Sequence, residues 1–558
     1  MKKQTLVQLI LLCLLAAALV ACGASMPEEA PVAESSGDYQ SAPIAVQEAA
    51  EEPAAAEPAA ESVEVTRVVT ETEMVVAEDA ATAAQEAAPI AVSPVDSQRI
   101  DVAPTAVPPR DTFFQDYGVN PFVLTSVDNL STFSLDVDTG SYTIARNYIQ
   151  DGLTPPPDAI RVEEFVNAFD QGYANPPNTA FAIYADGAPS PFHNDGTIFL
   201  RIGVQGYDVA EADRKSAAFT FVIDVSGSME GSNRLGLVKE SLNLLVDRMR
   251  EDDTVAIVVY GSEARVVLEP TAGSRRGDIL TAIYSLQTEG STNMEAGLLL
   301  GYEMANWVYK PGGINRVVLA SDGVANVGDT SANSLAQKIR GYADSGITLT
   351  TIGFGMDNYN DIIMEQLADQ GDGNYAYVDT YDEAQTLFVD NLMSTIQVIG
   401  LDAKIQVEFD RNVVERYRLV GYENRAIADQ DFRNDSVDAG EIGAGHTATA
   451  VYAVQLYPGA VGRIATVNLR WQDPDSRRVQ EISGNFGTAN LAPSFDDAPL
   501  HYQLAVVVSQ YAELLRHSYW ADGLNFEALR IRSQRLASQL GTEEVVELAG
   551  LVERSSRQ

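Results

Sequence analysis

Cysteine is almost absent: the 558 residues contain only Cys13 and Cys22, both near the N-terminus. No disulfide can therefore staple a folded domain, whatever the compartment. Histidine is nearly as scarce. His193, His446, His501 and His517 are scattered, without the H-E-x-x-H spacing that sets two imidazoles on one helix face for zinc. Basic residues are few: 37 Lys and Arg stand against 79 Asp and Glu, for a net charge of −42. That balance excludes non-specific nucleic-acid binding, which needs clustered cations to displace phosphate counterions, and it repels anionic headgroups. The acids are not spaced as EF-hand loops. There is no phosphate-cradling P-loop, so no small-molecule cofactor is implied, and no Cys–His pair for nucleophilic catalysis. After residue 22 no apolar run approaches the roughly 20 residues that cross a bilayer.

What remains is 46% hydrophobic and 21% charged, which permits globular domains. The length exceeds one core, so three or four folded units are expected. Residues 1–22 read as an export signal: Lys2 and Lys3, then the short apolar stretch Leu6–Val20 interrupted by Gln8. It ends in Leu19-Val20-Ala21-Cys22-Gly23, which resembles the lipobox of bacterial lipoproteins. The resemblance implies a diacylglycerol thioether on Cys22, cleavage before it, and a lipid-anchored chain outside the cytoplasm, at the cell membrane or outer membrane. An ordinary secretory signal cut near residues 16–18, or an uncleaved anchor, is the alternative. Residues 23–112 are rich in Ala, Glu and Pro, with Tyr39 the one aromatic up to residue 110. Such a stretch buries too little to offset its ordering entropy, so a disordered, self-repelling tether is expected. Val63–Val76 is the exception, with alternating β-branched residues that suit a docking strand or a transient one.

The folded part is organised around Ala218–Glu230, AFTFVIDVSGSME. Phe219–Val225 reads as a strand buried on both faces, and the following Leu237, Val238, Leu242, Leu245 and Met249 fall at helical spacing. Asp224, Ser226 and Ser228 therefore lie at a strand-to-helix turn, at the carboxyl end of a strand, where open α/β sheets bind ligands. Hard oxygen donors suit a hard divalent cation. Gly290-Ser-Thr292-Asn opens a later helix, and Val317-Val-Leu-Ala-Ser-Asp322-Gly ends another apolar strand in an acid. These segments together resemble the von Willebrand factor A (VWA) family with its metal-ion-dependent adhesion site. The resemblance maps Asp224, Ser226, Ser228, Thr292 and Asp322 onto the five metal-site positions.

Residues 213–397 alternate strands and helices as a doubly wound, Rossmann-like VWA domain demands. Before it, residues 113–212 form a module whose Asp138-Thr-Gly-Ser141 matches an aspartic-protease arm. No second arm follows an apolar strand, so no shared-proton dyad can form, and Ser141 reads instead as the cap of a helix. After the VWA domain, residues 398–488 switch to period two, with Ile405/Val407/Phe409 and Ala465/Val467/Leu469/Trp471, as in an antiparallel β module. Residues 489–558 return to helix, the last one capped by Thr542. Strands before and after the VWA domain are expected to pair into one β-layer around it, because neither flank has enough strands alone. DVDTGSYTIARNYI, PPPDAIRVEEFVNAF, GFGMDNYNDIIMEQLADQGDGNYAYVDT and IGAGHTATAVYAV resemble a family of VWA-containing bacterial lipoproteins, often labelled calcium-activated chloride channel homologues. The channel label does not carry over, since the mature chain offers no pore-forming segment.

The VWA resemblance implies a non-enzymatic module. A divalent cation, Mg²⁺ before Mn²⁺ or Ca²⁺, would keep one position open for an acidic residue of a protein partner, for adhesion or envelope assembly. Metal-assisted hydrolysis is the rival class, with Glu230, Glu289 and Glu295 as possible general bases. A scaffold that the metal only stiffens is the third reading.

Overall fold

The computed structural model describes residues 43–44, 46–48, 114–135, 138–177, 179–323, 329–355, 361–391 and 397–557. The export segment, Cys22 and Val63–Val76 lie outside the described residues. Strands Val46–Glu48 (β1), Val123–Leu124 (β2), Leu130–Ser134 (β3), Phe181–Pro189 (β4) and Thr197–Gly206 (β5) come first. Ala217–Asp224 (β6), Thr254–Tyr260 (β7), Ala264–Ala272 (β8), Ile314–Ser321 (β9), Thr348–Phe354 (β10) and Tyr375–Val378 (β11) follow. Val398–Phe409 (β12), Val414–Val420 (β13), Gly440–Gly443 (β14), Thr447–Leu456 (β15), Arg463–Gln472 (β16) and Val479–Gly487 (β17) complete the set.

The middle group forms one sheet in the order β11-β10-β9-β6-β7-β8, parallel except for the β7–β8 edge pair. Every residue of β6 is buried, and alternate side chains serve opposite layers. Phe219, Phe221 and Ile223 pack with Leu237, Leu242 and Leu245 of helix Leu237–Arg248. Val222, with Val317 and Leu319 from β9, packs with Met294, Leu298 and Tyr302 of helix Met294–Trp307. Each such side chain contributes about 1.5–3 kcal/mol by leaving water, which explains the unbroken apolar run. This is the doubly wound VWA α/β fold.

The flanking strands form two sheets rather than the single layer expected. One runs β2-β13-β15-β5-β4; the other runs β1-β17-β16-β12-β14, with β3 on β12. The physical reason is that strands of both flanks carry apolar faces that need each other. Ile405, Val407, Phe409, Val467 and Leu469 from one sheet meet Ile183, Leu200, Ile202, Ala450 and Tyr452 from the other. The outer face of β5 and β15 is apolar too. Phe199, Val451 and Ala453 are covered by helices Val162–Asn167 and Leu500–Leu515 through Phe165, Leu504 and Val508, and helices Phe526–Leu540 and Glu543–Ser555 extend the same cluster through Leu536 and Leu548. The Leu504, Val507, Val508 and Tyr511 stripe is thus core. Two capping expectations need correction. Ser141 lies inside helix Gly140–Gln150, where its hydroxyl donates to Ala159 O, while the Glu164 carboxylate accepts the Ser141 amide at 2.7 Å. Thr542 stands at the N-cap of the last helix without a side-chain cap bond. The tether expectation also gives way at one place, since β1 pairs with β17.

Helix Gly140–Gln150 ties the flanking module to the VWA domain. Ile144 and Tyr148 enter the β9–β11 side of the VWA core, and Arg146 donates to both Asp379 and Glu383, the latter at 2.8 Å. Asp138 accepts from Tyr375 N and from Arg425 Nη2, so the protease-like turn is a structural tie. Arg146 and Asp379 are both nearly buried, with side chains 8% and 6% exposed. Truncating one member of such a pair strands the other charge, at a cost of about 3–5 kcal/mol. Arg146→Ala should therefore lower the urea midpoint of the full chain measurably, and an unchanged midpoint would show that this junction bears no load.

Candidate metal-binding site

Asp224 ends β6, and the register sets Ile223 beside Ala320, so Asp224 stands level with Ser321 of β9. Its Oδ1 accepts the Ser226 amide at 2.8 Å and its Oδ2 accepts the Ser321 hydroxyl at 3.0 Å. The Ser226 and Ser228 hydroxyls lie 2.9 Å apart. Asp224 and Ser226 are buried, Ser228 is partly exposed, and Asp322, next after β9, is buried. A 3-10 turn at Gly227–Met229 thus stacks both hydroxyls beside the carboxylates at the mouth of the sheet.

The Thr292 loop is held against this turn by backbone. Gly227 N donates to Gly290 O at 3.2 Å, Glu289 N to Val225 O at 2.5 Å, and Asn293 N to Gly261 O at 3.0 Å. Gly290 has φ +65°, and a Cβ there would lie 1.9 Å from Ser262 Oγ, so only glycine fits. Asn293 then caps helix Met294–Trp307 by accepting Ala296 N. Thr292, partly exposed, is placed between these anchored neighbours. Asp224, Ser226, Ser228 and Asp322 are brought together, and the Thr292 loop is pinned beside them.

Two participants escape a reading of the sequence. Ser321 orients Asp224, and its only trace was its place before Asp322. Arg234 donates to Ser228 O from a kinked segment, with its side chain against Gly355, where a Cβ would come within 2.6 Å of Nε. No spacing rule signals that contact. Of the acids weighed as general bases, Glu230 is exposed, Glu295 sits in the first turn of its helix, and Glu289 accepts from Arg265 at 2.9 Å on the surface. The histidines stay away from the site. His446 is half-buried near Arg316, and loss of solvation together with that charge pushes its imidazole down to about 4. A separate acidic group, Asp372, Asp438 and Glu441, has carboxylate oxygens within 4.8 Å of one another, by the N-terminal end of β11 and far along the chain from Asp224.

Burial pushes the Asp224 carboxyl up to about 6, and the Asp322 charge adds to this, while the Ser226 and Ser321 hydrogen bonds hold it down. Tyr260, opposite Asp224 on β7, is held far above the usual phenol range by burial and by the Asp224 charge. It stays neutral. The donor set is therefore oxygen only, two crowded carboxylates plus neutral hydroxyls, which fits a hard divalent cation.

Three family profiles match the chain: "von Willebrand factor type A domain" over residues 219–390, "von Willebrand factor" over 108–200, and "Uncharacterized protein YfbK, C-terminal" over 394–460. Uncharacterized protein YfbK of Escherichia coli (strain K12) is 35% identical over 455 residues, covering 76% of this chain and 78% of that protein. The chain belongs to the YfbK family of VWA-domain proteins. The chain is also similar to Uncharacterized protein sll0103 of Synechocystis sp., 28% identical over 294 residues, covering 51% of this chain and 68% of that protein. Among solved structures, von Willebrand factor type A from Catenulispora acidiphila aligns with TM-score 0.39 at 16% identity, over 66% of this chain and 89% of that one.

Because its folded-state pKa is raised to about 6, cation-free Asp224 gains a proton more readily in the folded than in the unfolded chain. Its ionisation costs stability above about pH 6, and that cost fades as pH falls toward the ordinary aspartate range near 4. A cation on these oxygens must displace the proton. Titration calorimetry with Mn²⁺ should show affinity falling at least severalfold from pH 7.5 to pH 5. Equal affinity at both would contradict a role for the Asp224 carboxylate.

Proposed function

We propose that this YfbK-family chain is a lipid-anchored extracytoplasmic protein whose VWA domain captures a protein partner through a divalent cation. The observation that carries the reading is the convergence of Asp224, Ser226, Ser228 and Asp322 on one mouth of the sheet, with the Thr292 loop pinned beside them by Gly227 and Val225. When bound, the cation would offer an open position to a carboxylate, and Mg²⁺ suits such a small hydrated oxygen site better than Ca²⁺. Ser226, Ser228 and Thr292 are the direct oxygen donors in this reading, while Asp224 and Asp322 supply charge and hold the cation's waters. Ser321 fixes the Asp224 rotamer through its 3.0 Å bond. Arg234, tethered to Ser228 O, stiffens the turn that presents the two serines.

Binding is favoured over hydrolysis by the placement of the acids. Glu289 is occupied by Arg265, and Glu230 is exposed while Asp224 is buried. Anchoring rests on Cys22, with the chain between it and the docked β1 leading from the membrane to the folded body. The partner's chemistry follows from the site: an acidic side chain on a protein surface, presented for adhesion or envelope assembly.

The test is cross-linked capture from solubilised membranes, with Mg²⁺ or with EDTA. Partner bands should vanish with chelator and in Asp224→Ala and Thr292→Ala, while secretion and secondary structure persist. Capture indifferent to chelator would favour a scaffold, and an ester, peptide or phosphate turnover lost in Asp224→Ala would favour a hydrolase. In the same cells a radiolabelled fatty acid should mark the wild type and not Cys22→Ser; a labelled Cys22→Ser protein would overturn the anchor.

A further inference from the structure

One segment of the Ala/Glu/Pro-rich region is seated on the β-sandwich, and the seat is shaped for it. Val46–Glu48 pairs antiparallel with β17, Val46 opposite Gly484, Gln47 opposite Ser483 and Glu48 opposite Ile482. Just before it, Ile44 N donates to Ile183 O at 3.0 Å, and Pro43 bridges to Tyr184. Ile183 and Tyr184 belong to β4, in the opposite sheet. The segment therefore closes the side where the edges of both sheets meet. Ile44 packs against the sandwich core, and it has room because residue 484 is glycine: a Cβ there would lie 2.3 Å from Ile44 Cδ1. A glycine inside a strand normally weakens it; here its missing side chain is the slot.

The sequence around Pro43, Ile44 and Val46, Ala42-Pro43-Ile44-Ala45-Val46, recurs unchanged as Ala88-Pro89-Ile90-Ala91-Val92. Between residues 23 and 112 the isoleucines are Ile44, Ile90 and Ile100, so two of these three sit in the repeated motif. A looser copy, Ala103-Pro104-Thr105-Ala106-Val107, has a hydroxyl where the slot takes an apolar side chain. We propose that the β17–β4 edge is a strand-acceptor site for Pro-Ile-x-Val peptides, and that Pro89–Val92 of the same chain is its second ligand. Main-chain pairing supplies the affinity and the Gly484 slot the specificity, as in other strand-addition sites.

The two copies are unequal for a stated reason. Pro94 stands where Glu48 stands in the first copy, and proline brings no N–H to a ladder. The second copy therefore pairs over a shorter length and takes the seat when the first is displaced. It can reach: about 20 residues link Val92 to the folded body, up to roughly 65 Å when extended, against a radius of gyration of about 22 Å for a body of this size. Exchange resets the leash. From Cys22 the free chain would extend roughly 70 Å with the first copy docked and about 220 Å with the second.

Hydrogen–deuterium exchange on the full chain in detergent tests this. In the wild type, peptides covering 43–48 should be protected and those covering 88–93 not. In Ile44→Asp the protection should move to 88–93, with β17 exchanging at least about tenfold more slowly than in Ile44→Asp/Ile90→Asp. Gly484→Val, which fills the slot from the acceptor side with a strand-favouring residue, should release both copies while β6 and β9 keep their protection. The proposal is overturned if Ile44→Asp exchanges like the double variant along β17. It is equally overturned if protection at 88–93 grows with protein concentration, since the donor would then be a neighbouring chain.

Discussion

Two carboxylates buried at the ends of neighbouring parallel strands are the constraint on which the rest of this molecule turns. Asp224 and Asp322 lie in a place where water cannot disperse their charge, and the consequence is visible in an Asp224 carboxyl pushed up to about 6. A fold keeps such a pair only with a partner for it. Ser226 and Ser321 each supply one hydrogen bond, which orients the carboxylate without neutralising it. A hard cation would suit that arrangement, and the loop carrying Thr292 is fastened beside it by Gly227, Val225 and Gly261.

The sandwich serves this site by fixing where the VWA domain begins and ends. β5, just ahead of the domain, pairs with β15, well past it, from Gln205↔Thr447 to Thr197↔Gln455. Entry and exit also touch directly, since Lys215 N donates to the Gln397 side chain at 3.0 Å. Arg214, at the entry, is locked to Asp253, which also accepts the Arg250 and Ala217 amides. Asp253 is thereby held below the usual carboxylate range despite its burial. The domain is thus gripped at its base, through Arg214, and along one flank, through Arg146.

Much of this was legible in the residues. The largely apolar runs of β6 and β9 and the amphipathic Leu237–Met249 stretch mark a parallel sheet with helices on both faces, because each strand buries both of its sides. The acid-and-hydroxyl turn after β6 and the acid after β9 were legible for the same reason: polar residues that end fully apolar strands have to be there for something. The pairing of the flanks into two sheets was not legible. Alternation tells which residues of a strand share a face, but not which other face they meet, and β5 has no alternation at all because both of its faces are buried. Contacts made by single long side chains across the chain, Arg146 to Glu383 or Arg234 to Ser228, leave no periodic trace. Nor does the Asp372, Asp438 and Glu441 group, whose members come from a helix-to-strand loop and from β14 with the residues just before it. β1 escaped because composition averages over the whole tether, whereas three paired residues and one isoleucine slot are enough to seat a strand.

The most direct measurement of the central claim is the melting temperature of the VWA transition in the full chain, after chelation, with and without added cation. A ligand that binds only the folded state stabilises it by about 2.7 kcal/mol at a hundredfold excess over Kd. For a domain of roughly 190 residues that is a rise of about 5–10 °C. Saturating Mg²⁺ or Mn²⁺ should produce that rise in the wild type, and Asp322→Ala should lose most of it. A wild-type transition that stays at the same temperature with either ion at millimolar concentration would show that these five residues hold no cation, and would contradict the account.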